Sequence, residues 1–399
     1  MVAVSLVASF LLPTIVLALP GTSTTSKNAH RSLNGSNGNS GHSQAALAND
    51  ALTDILTRGA PILGFDKGCS KQSKTCDWMA KFPDNTMLVH MNLPGTHDAA
   101  TWNYSAETQA SLEHYTGPLP ASTFYRCQEQ SILQSLNDGV RVFDLRIAYN
   151  PGNDTIGFHH SNAMLAPHTT LEDVLFGFYN WLNNHPTEAV LVSINFEGGT
   201  GTPNDAQLQT HLYDIFNTPL AKRYWLQTNG TFGTLGEARG MLTLLQRFDY
   251  TLLPPQDGKR IGIHLSASQW LDNYWPSFQL RYNAAKNQTA FIEDYYEPYT
   301  SASTKENIIW KYNVTTAHIV EATKSSPDQL YITFASAEHD FATPPVNPHT
   351  MAMGNGTSTP GMNQKLLPFL QAQKGKRFGI VFLDFYDAVP GLVEAVIGL

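Results

Sequence analysis

VRVFDLRI, residues 140–147, decides the fold: Val140-Arg141-Val142-Phe143-Asp144-Leu145-Arg146-Ile147. The stretch is short, apolar and β-branched, as a buried strand is, and it ends in a carboxylate and a guanidinium two residues apart. Working outward, the same form recurs along residues 87–386. It predicts strands at Met87–Leu93, Val140–Ile147, Thr155–Phe158, Ala189–Asn195, Met241–Gln246, Ala290–Ile292, Leu330–Phe334 and Phe378–Leu383. Their endings are polar: Gly95-Thr96-His97-Asp98, His159-His160, Asn195-Phe196-Glu197, Gln246-Arg247, Asp294-Tyr295-Tyr296, Ala335-Ser336-Ala337 and Asp384. Helices are predicted over Gln128–Asn137 and Leu171–Asn184, the second opened by Thr170 with Asp173 three residues on and stopped before Pro186.

Alternating strands and helices imply a parallel sheet, and eight strands imply closure, so the expected fold is an α/β, irregular TIM-type (β/α)8 barrel spanning residues 45–399. In such a barrel the C-terminal strand ends meet on one face, which gathers the scattered polar endings into one site. The long segments 98–127, 248–289 and 335–363 are expected to wall that site.

The rest of the chain sets the context. Residues 1–19 are apolar and uncharged, with Val16-Leu17-Ala18 before Leu19-Pro20, which reads as a signal peptide and hence an exported, extracellular protein. Residues 20–44 are rich in Ser, Gly, Asn and Thr and read as a disordered linker. A short helix on Leu47, Ala51, Leu52, Ile55 and Leu56 is expected to end before Gly59. Glycosylation acceptors stand at Asn34, Asn103, Asn153, Asn229, Asn287, Asn313 and Asn355. Of the three cysteines, Cys69 and Cys76 are spaced to close a disulfide loop, leaving Cys127 as a buried thiol. The net charge of −8 argues against nucleic-acid partners and against attraction to acidic membranes by charge alone.

His97 and His160, at predicted strand ends with carboxylates nearby, are the leading acid–base pair. Cleaving a phosphodiester through an internal hydroxyl needs a base, an acid and positive charge on the phosphorus oxygens. Arg146 suits the third role, because a guanidinium donates two parallel hydrogen bonds. Asp144 and Asp384 suit orienting and balancing roles.

Gly95-Thr96-His97-Asp98, Asp144-Leu145-Arg146, His159-His160 and Ser193-Ile194-Asn195-Phe196-Glu197 together resemble the X-domain of phosphatidylinositol-specific phospholipase C, in its bacterial-type, calcium-independent branch. The resemblance is strong over about residues 85–200 and weaker through Arg247, Asp294, Tyr296 and Asp384. It implies a PLC-like phosphodiesterase in which His97 is the base for the inositol 2-hydroxyl, Asp384 orients it, and His160 with Asp98 is the acid for the leaving oxygen. Arg146 would bind phosphate, Arg247 and Asp294 would contact inositol hydroxyls, and Tyr296 would stack on the ring. Asn195 and Glu197 complete the implied substrate-binding set, although Asn195 stands where bacterial enzymes commonly carry lysine. Calcium-using relatives place an acidic ligand at the position of Arg146, so neither metal nor other cofactor is expected.

The implied partner is a phosphoinositide or glycosylphosphatidylinositol-type lipid met by peripheral membrane contact. Trp270, Tyr274 and Trp275 are expected to supply a lipid interface. Two rival readings are a metal-dependent glycerophosphodiesterase or phospholipase D-like enzyme, and an exported lipid- or glycan-binding barrel without turnover.

Overall fold

The computed structural model describes residues 43–254, 261–298, 303–340, 342 and 344–399. The expected signal peptide, nearly all of the expected linker and Asn34 lie outside these residues. No helix among the described residues is long and apolar enough to cross a membrane.

The strands are β1 (Leu93–Thr96), β2 (Val142–Tyr149), β3 (Ile156–His160), β4 (Ala163–Met164), β5 (Val190–Phe196), β6 (Leu242–Arg247), β7 (Ile263–His264), β8 (Phe278–Asn283), β9 (Gln288–Glu293), β10 (Leu330–Phe334) and β11 (Ile380–Leu383). A parallel wall runs β7-β6-β5-β2-β1-β11-β10-β9, and β8 pairs antiparallel with β9. This is the TIM-type α/β barrel in irregular form: among the described residues no ladder joins β7 to β8, so the wall stays open there.

Helices coat the outside. The helix α1 (Gln44–Leu63) precedes the barrel, and α2 (Ala106–Thr116) and α3 (Ile132–Asp138) lead from β1 to β2. The helix α4 (Leu171–Asn184) leads into β5, while α5 (Ala206–Asn217), α6 (Ala221–Tyr224) and α7 (Leu235–Ala238) lead into β6. Then α8 (Thr304–Lys324) joins β9 to β10, α9 (Pro348–Met353) and α10 (Met362–Ala372) join β10 to β11, and α11 (Leu392–Ile397) follows. The expected capping box of α4 is present, Thr170 and Asp173 each accepting the other's backbone N–H. Cys69 and Cys76 form the expected disulfide, and Cys127 is free and buried.

Several expectations are corrected. Thr155–Phe158 is not a barrel strand: β3 returns antiparallel along β2, with Ile147 opposite Phe158. The loop between β2 and β3 is too short for a parallel crossover, which takes about a dozen residues or more. The eighth parallel strand is β7, two residues long and hidden in what reads as a wall segment. Met87–Leu93 is not a strand either, since Leu88–His90 is a 3-10 turn and the Leu88 amide donates to Gly233 rather than to a ladder. The helix expected to stop before Gly59 runs through it from Gln44, because the absent Cβ there admits α4, whose Asp173 carbonyl oxygen would lie 3.3 Å from it. The helix expected from Gln128 starts at Ile132, capped by Ser131.

Gly95 in β1 marks the tightest point of the wall. A Cβ there would come within 2.7 Å of Phe382 and 3.2 Å of Val142, so glycine is what lets β11 and β2 close on β1. Just beyond, the Gln128 side-chain amide donates to the carbonyls of His97 (2.7 Å) and Leu383 (2.8 Å), clamping the tops of β1 and β11 together. His97 and Asp384 are thereby brought level.

Candidate active site

Strand register builds the site. Parallel pairing places Arg146, Asn195 and Arg247 side by side on β2, β5 and β6, with Asp144 beside Ser193 one step below. His97 follows β1 and its amide continues the ladder to Leu383, the residue before Asp384. His160 arrives differently: β2 overshoots the wall, turns, and β3 brings the histidine back down to the rim.

Side chains converge on a cavity of about 340 Å³. His97, Arg146, His160, Asn195, Glu197, Arg247, Asp294, Tyr296 and Asp384 all line it. Asp98 and Asp144 lie beneath, fully buried. His97 Nδ1 is 2.9 Å from Asp384 Oδ1, and its Nε2 is 2.6 Å from Arg146 Nη2. Because guanidinium can only donate, Nε2 is the acceptor and Nδ1 carries the proton given to Asp384. His160 Nδ1 faces the Tyr125 carbonyl at 2.8 Å and Asp98 Oδ2 at 3.1 Å, which leaves Nε2 for the cavity. The two imidazole centroids are 6.4 Å apart.

Arg146 stands amid three carboxylates, 3.4 Å from Asp144, 3.6 Å from Asp98 and 3.7 Å from Glu197. Asp144 is also held 3.1 Å from Arg247 and accepts from Ser193 Oγ and the Asp98 amide, both at 3.3 Å. The Arg247 guanidinium lies 3.7 Å over the Trp270 ring, and Trp270 Nε1 donates to Asp294 at 2.8 Å. Trp270 is therefore a cavity residue and not a surface anchor, which corrects the expectation for it. Tyr274 and Trp275 are exposed, at 48% and 57%.

Burial, and then the Arg146 charge, hold His97 well below the ordinary histidine value and bring His160 down to about 4. Burial pushes Asp98 up to about 8, opposed in part by Arg146. Burial also lifts Asp384 well above the carboxylate range, with Asp98 and Glu338 adding to it.

The sequence reading missed Asp272 and Glu338. Asp272 lines the cavity and accepts from Tyr296 Oη at 3.1 Å, and its only signal was its place two residues after Trp270. Glu338 also lines the cavity, and burial and Asp340 raise it to about 8. It directly follows the Ala335-Ser336-Ala337 strand ending, which was noted without it.

The profile of the "Phosphatidylinositol-specific phospholipase C, X domain" matches residues 109–247. The chain is 23% identical over 267 residues to the 1-phosphatidylinositol phosphodiesterase of Staphylococcus aureus strain Newman, an alignment covering 65% of this chain and 74% of that protein. Residues 109–247 thus carry the X-domain pattern of phosphatidylinositol-specific phospholipase C. The 1-phosphatidylinositol phosphodiesterase of Listeria monocytogenes is 25% identical over 57% of this chain and 65% of its own length. The mouse PI-PLC X domain-containing protein 1 is 32% identical over 31% of this chain and 40% of its own. A solved phosphatidylinositol-specific phospholipase C of S. aureus superposes with a TM-score of 0.61 at 20% identity, covering 82% of this chain and 98% of that one. The Listeria enzyme superposes at 0.54 and 21% identity, with 81% and 97% covered. These superpositions establish the shared barrel.

The raised Asp98 carboxyl has a stability consequence whose sign is fixed. Its folded value of about 8 exceeds its ordinary 3.8, so between these the native state holds more protons than the unfolded state, and stability falls as pH rises through that window. Asp98→Asn removes this titration. Its unfolding midpoint should therefore gain on the native protein's between pH 5 and pH 8. A variant-minus-native difference in midpoint that stays constant or falls from pH 5 to pH 8, measured by thermal unfolding, contradicts a buried, proton-holding Asp98.

Proposed function

We propose that this phosphatidylinositol-specific phospholipase C-like phosphodiesterase cleaves phosphatidylinositol or a glycosylphosphatidylinositol by attack of the inositol 2-hydroxyl on its own phosphorus. The observation that carries the reading is the pair of His–Asp couples facing one another across Arg146 in a single cavity. His97 Nε2 takes the 2-hydroxyl proton as the new O–P bond forms. His160 gives a proton to the glycerol oxygen as the old P–O bond breaks. The products are diacylglycerol and inositol 1,2-cyclic phosphate, and atoms balance without water.

Asp384, at 2.9 Å, steadies the Nδ1 proton and the charge that develops on His97. Asp98 Oδ2, 3.1 Å from His160 Nδ1, balances the imidazolium whose Nε2 proton the leaving oxygen requires. Arg146 Nη2 donates to His97 Nε2. An incoming phosphodiester offers that guanidinium anionic oxygens, so Arg146 moves its bond from base to phosphate and uncovers the base as substrate seats. The place that three carboxylates would offer a cation is taken by this guanidinium, which supports metal-free catalysis. Arg247, Asp294, Tyr296, Asn195 and Glu197 are left to receive the inositol hydroxyls.

Incubating the protein in EDTA with phosphatidylinositol, phosphatidylcholine and a glycosylphosphatidylinositol-anchored protein tests this reading, with products identified by ³¹P NMR. Cyclic phosphate should form from inositol lipids and not from phosphatidylcholine, and His97→Ala and His160→Ala should each slow it by about 10³-fold. Activity lost in EDTA and restored by calcium would favour the metal-dependent alternative. Near-native rates in either variant would refute the acid–base roles.

Lipid contact is proposed for Tyr274 and Trp275, whose exposed rings stand on the same loop as the cavity residues Trp270 and Asp272. The double variant Tyr274→Ala with Trp275→Ala should lose about tenfold on vesicles while a water-soluble inositol phosphodiester is turned over normally. Equal losses on both substrates would assign these rings to packing.

Export with N-glycosylation remains the proposed route. In its support, Asn103, Asn153, Asn229, Asn287, Asn313 and Asn355 are all exposed. Protein made through a eukaryotic secretory pathway should drop in mass on peptide-N-glycosidase treatment, and an unchanged mass would reject the assignment.

A further inference from the structure

The loop from Trp270 to Trp275 has two kinds of side chain. Trp270 and Asp272 line the cavity, where they bond Asp294 and the Tyr296 hydroxyl, while Leu271, Tyr274 and Trp275 stand in solvent. Between them sits Asn273, only 6% exposed and in the left-handed region at φ 47°. Its Oδ1 accepts from the amides of Tyr296 (3.0 Å) and Glu297 (2.9 Å), and its Nδ2 donates to the Glu297 carbonyl at 3.0 Å. Thus one amide side chain replaces the strand partner that the segment after β9 lacks, at the place where the barrel wall is open.

That segment needs a partner. Beyond Glu293 the ladder between β9 and β10 has ended, yet Asp294 and Tyr296 must point into the cavity. Apart from a bond from the Glu338 amide to the Tyr296 carbonyl, Asn273 supplies the backbone contacts that fix Tyr296 and Glu297. The same residue fixes the position of its neighbour Asp272, and so the Asp272–Tyr296 bond as well.

We infer that Asn273 is a positioning residue for head-group recognition: it locks the Trp270–Trp275 loop to the end of β9 and thereby sets Asp294, Tyr296, Asp272 and the Trp270–Arg247 stack as one inositol-facing wall. The inference rests on the phosphoinositide reading above. Asn273 touches neither His97 nor His160, so it governs how the ring is held and leaves the acid–base step alone. The residue type follows from the geometry. Asparagine tolerates positive φ and offers both an acceptor and a donor, whereas aspartate keeps the two acceptor bonds and loses only the donor.

Because alanine at positive φ would add backbone strain, the informative variants are Asn273→Gly, which keeps the conformation and removes all three bonds, and Asn273→Asp, which restores two. On a water-soluble inositol phosphodiester, Asn273→Gly should raise KM by about tenfold with kcat within about twofold and an unmoved pH profile, and Asn273→Asp should recover most of the loss. Calorimetric titration with myo-inositol 1-phosphate should show the same order of affinities, native above Asp above Gly. An unchanged KM in Asn273→Gly, or a loss carried by kcat, overturns the inference. So does an Asp variant as impaired as the Gly variant.

If the glycine variant does not fold, Asn273→Asp alone decides: near-native affinity upholds the acceptor bonds as the essential ones, and a glycine-like loss of tenfold rejects them. If the native protein turns over no inositol lipid but binds inositol phosphate in this order, the proposed reaction falls and the positioning role stands. If it binds no inositol phosphate, the positioning role falls.

Discussion

Asp144 is the group on which the barrel mouth depends. Fully buried in the first half of β2, it meets Arg146 and Arg247, accepts from Ser193, and caps the amide of Asp98. Two guanidinium groups on nearby strands would repel one another in a low-dielectric site, and one shared carboxylate between them makes the arrangement tenable. Its bond to the Asp98 amide also supports the left-handed turn at φ 43° that aims Asp98 at His160. The two guanidinium groups and the Asp98–His160 contact therefore have a common support.

Above that support the site is a layered charge array. Arg146 faces Asp98, Asp144 and Glu197, and it also donates to His97 Nε2. The wall opposite is built by aromatic stacking: Trp270 lies against Arg247 and bonds Asp294, so the cation and the carboxylate that face the cavity are spaced by one indole.

Irregularities in the barrel coincide with this function. A regular (β/α)8 wall would put a helix after β6 and another after β7. Here no α-helix follows either strand among the described residues, β7 shrinks to two residues, and β8 pairs backwards on β9. The opening leaves space for the Trp270–Trp275 loop, which lines the cavity on one side and meets solvent on the other. On the far side, the β2–β3 hairpin rises over the rim and returns His160 to it. Both catalytic-face extensions come from antiparallel detours added to a parallel frame.

Local chemistry was readable directly from residues. The positions of His97, Arg146, Asn195, Arg247, Asp294 and Asp384 follow from short apolar runs that carry polar groups at or near their ends, and those side chains meet in one cavity, with Asp144 buried beneath. The α4 capping box and the Cys69–Cys76 pairing were equally local, since their partners lie within a few residues. Direction and depth were not local. Whether β3 runs with or against β2 depends on the length of the connecting loop, β7 is too short to carry a hydrophobic period, and the Trp270 ring is assigned inward only by Arg247 from another strand. The sequence by itself determined which groups stand at strand ends, because the side-chain period of a strand is a property of neighbouring residues. Only the tertiary structure decided which of them touch and which tryptophan faces water, because contacts such as Asn273 to Glu297, or His97 to Asp384 across 287 residues, arise from pairing distant segments.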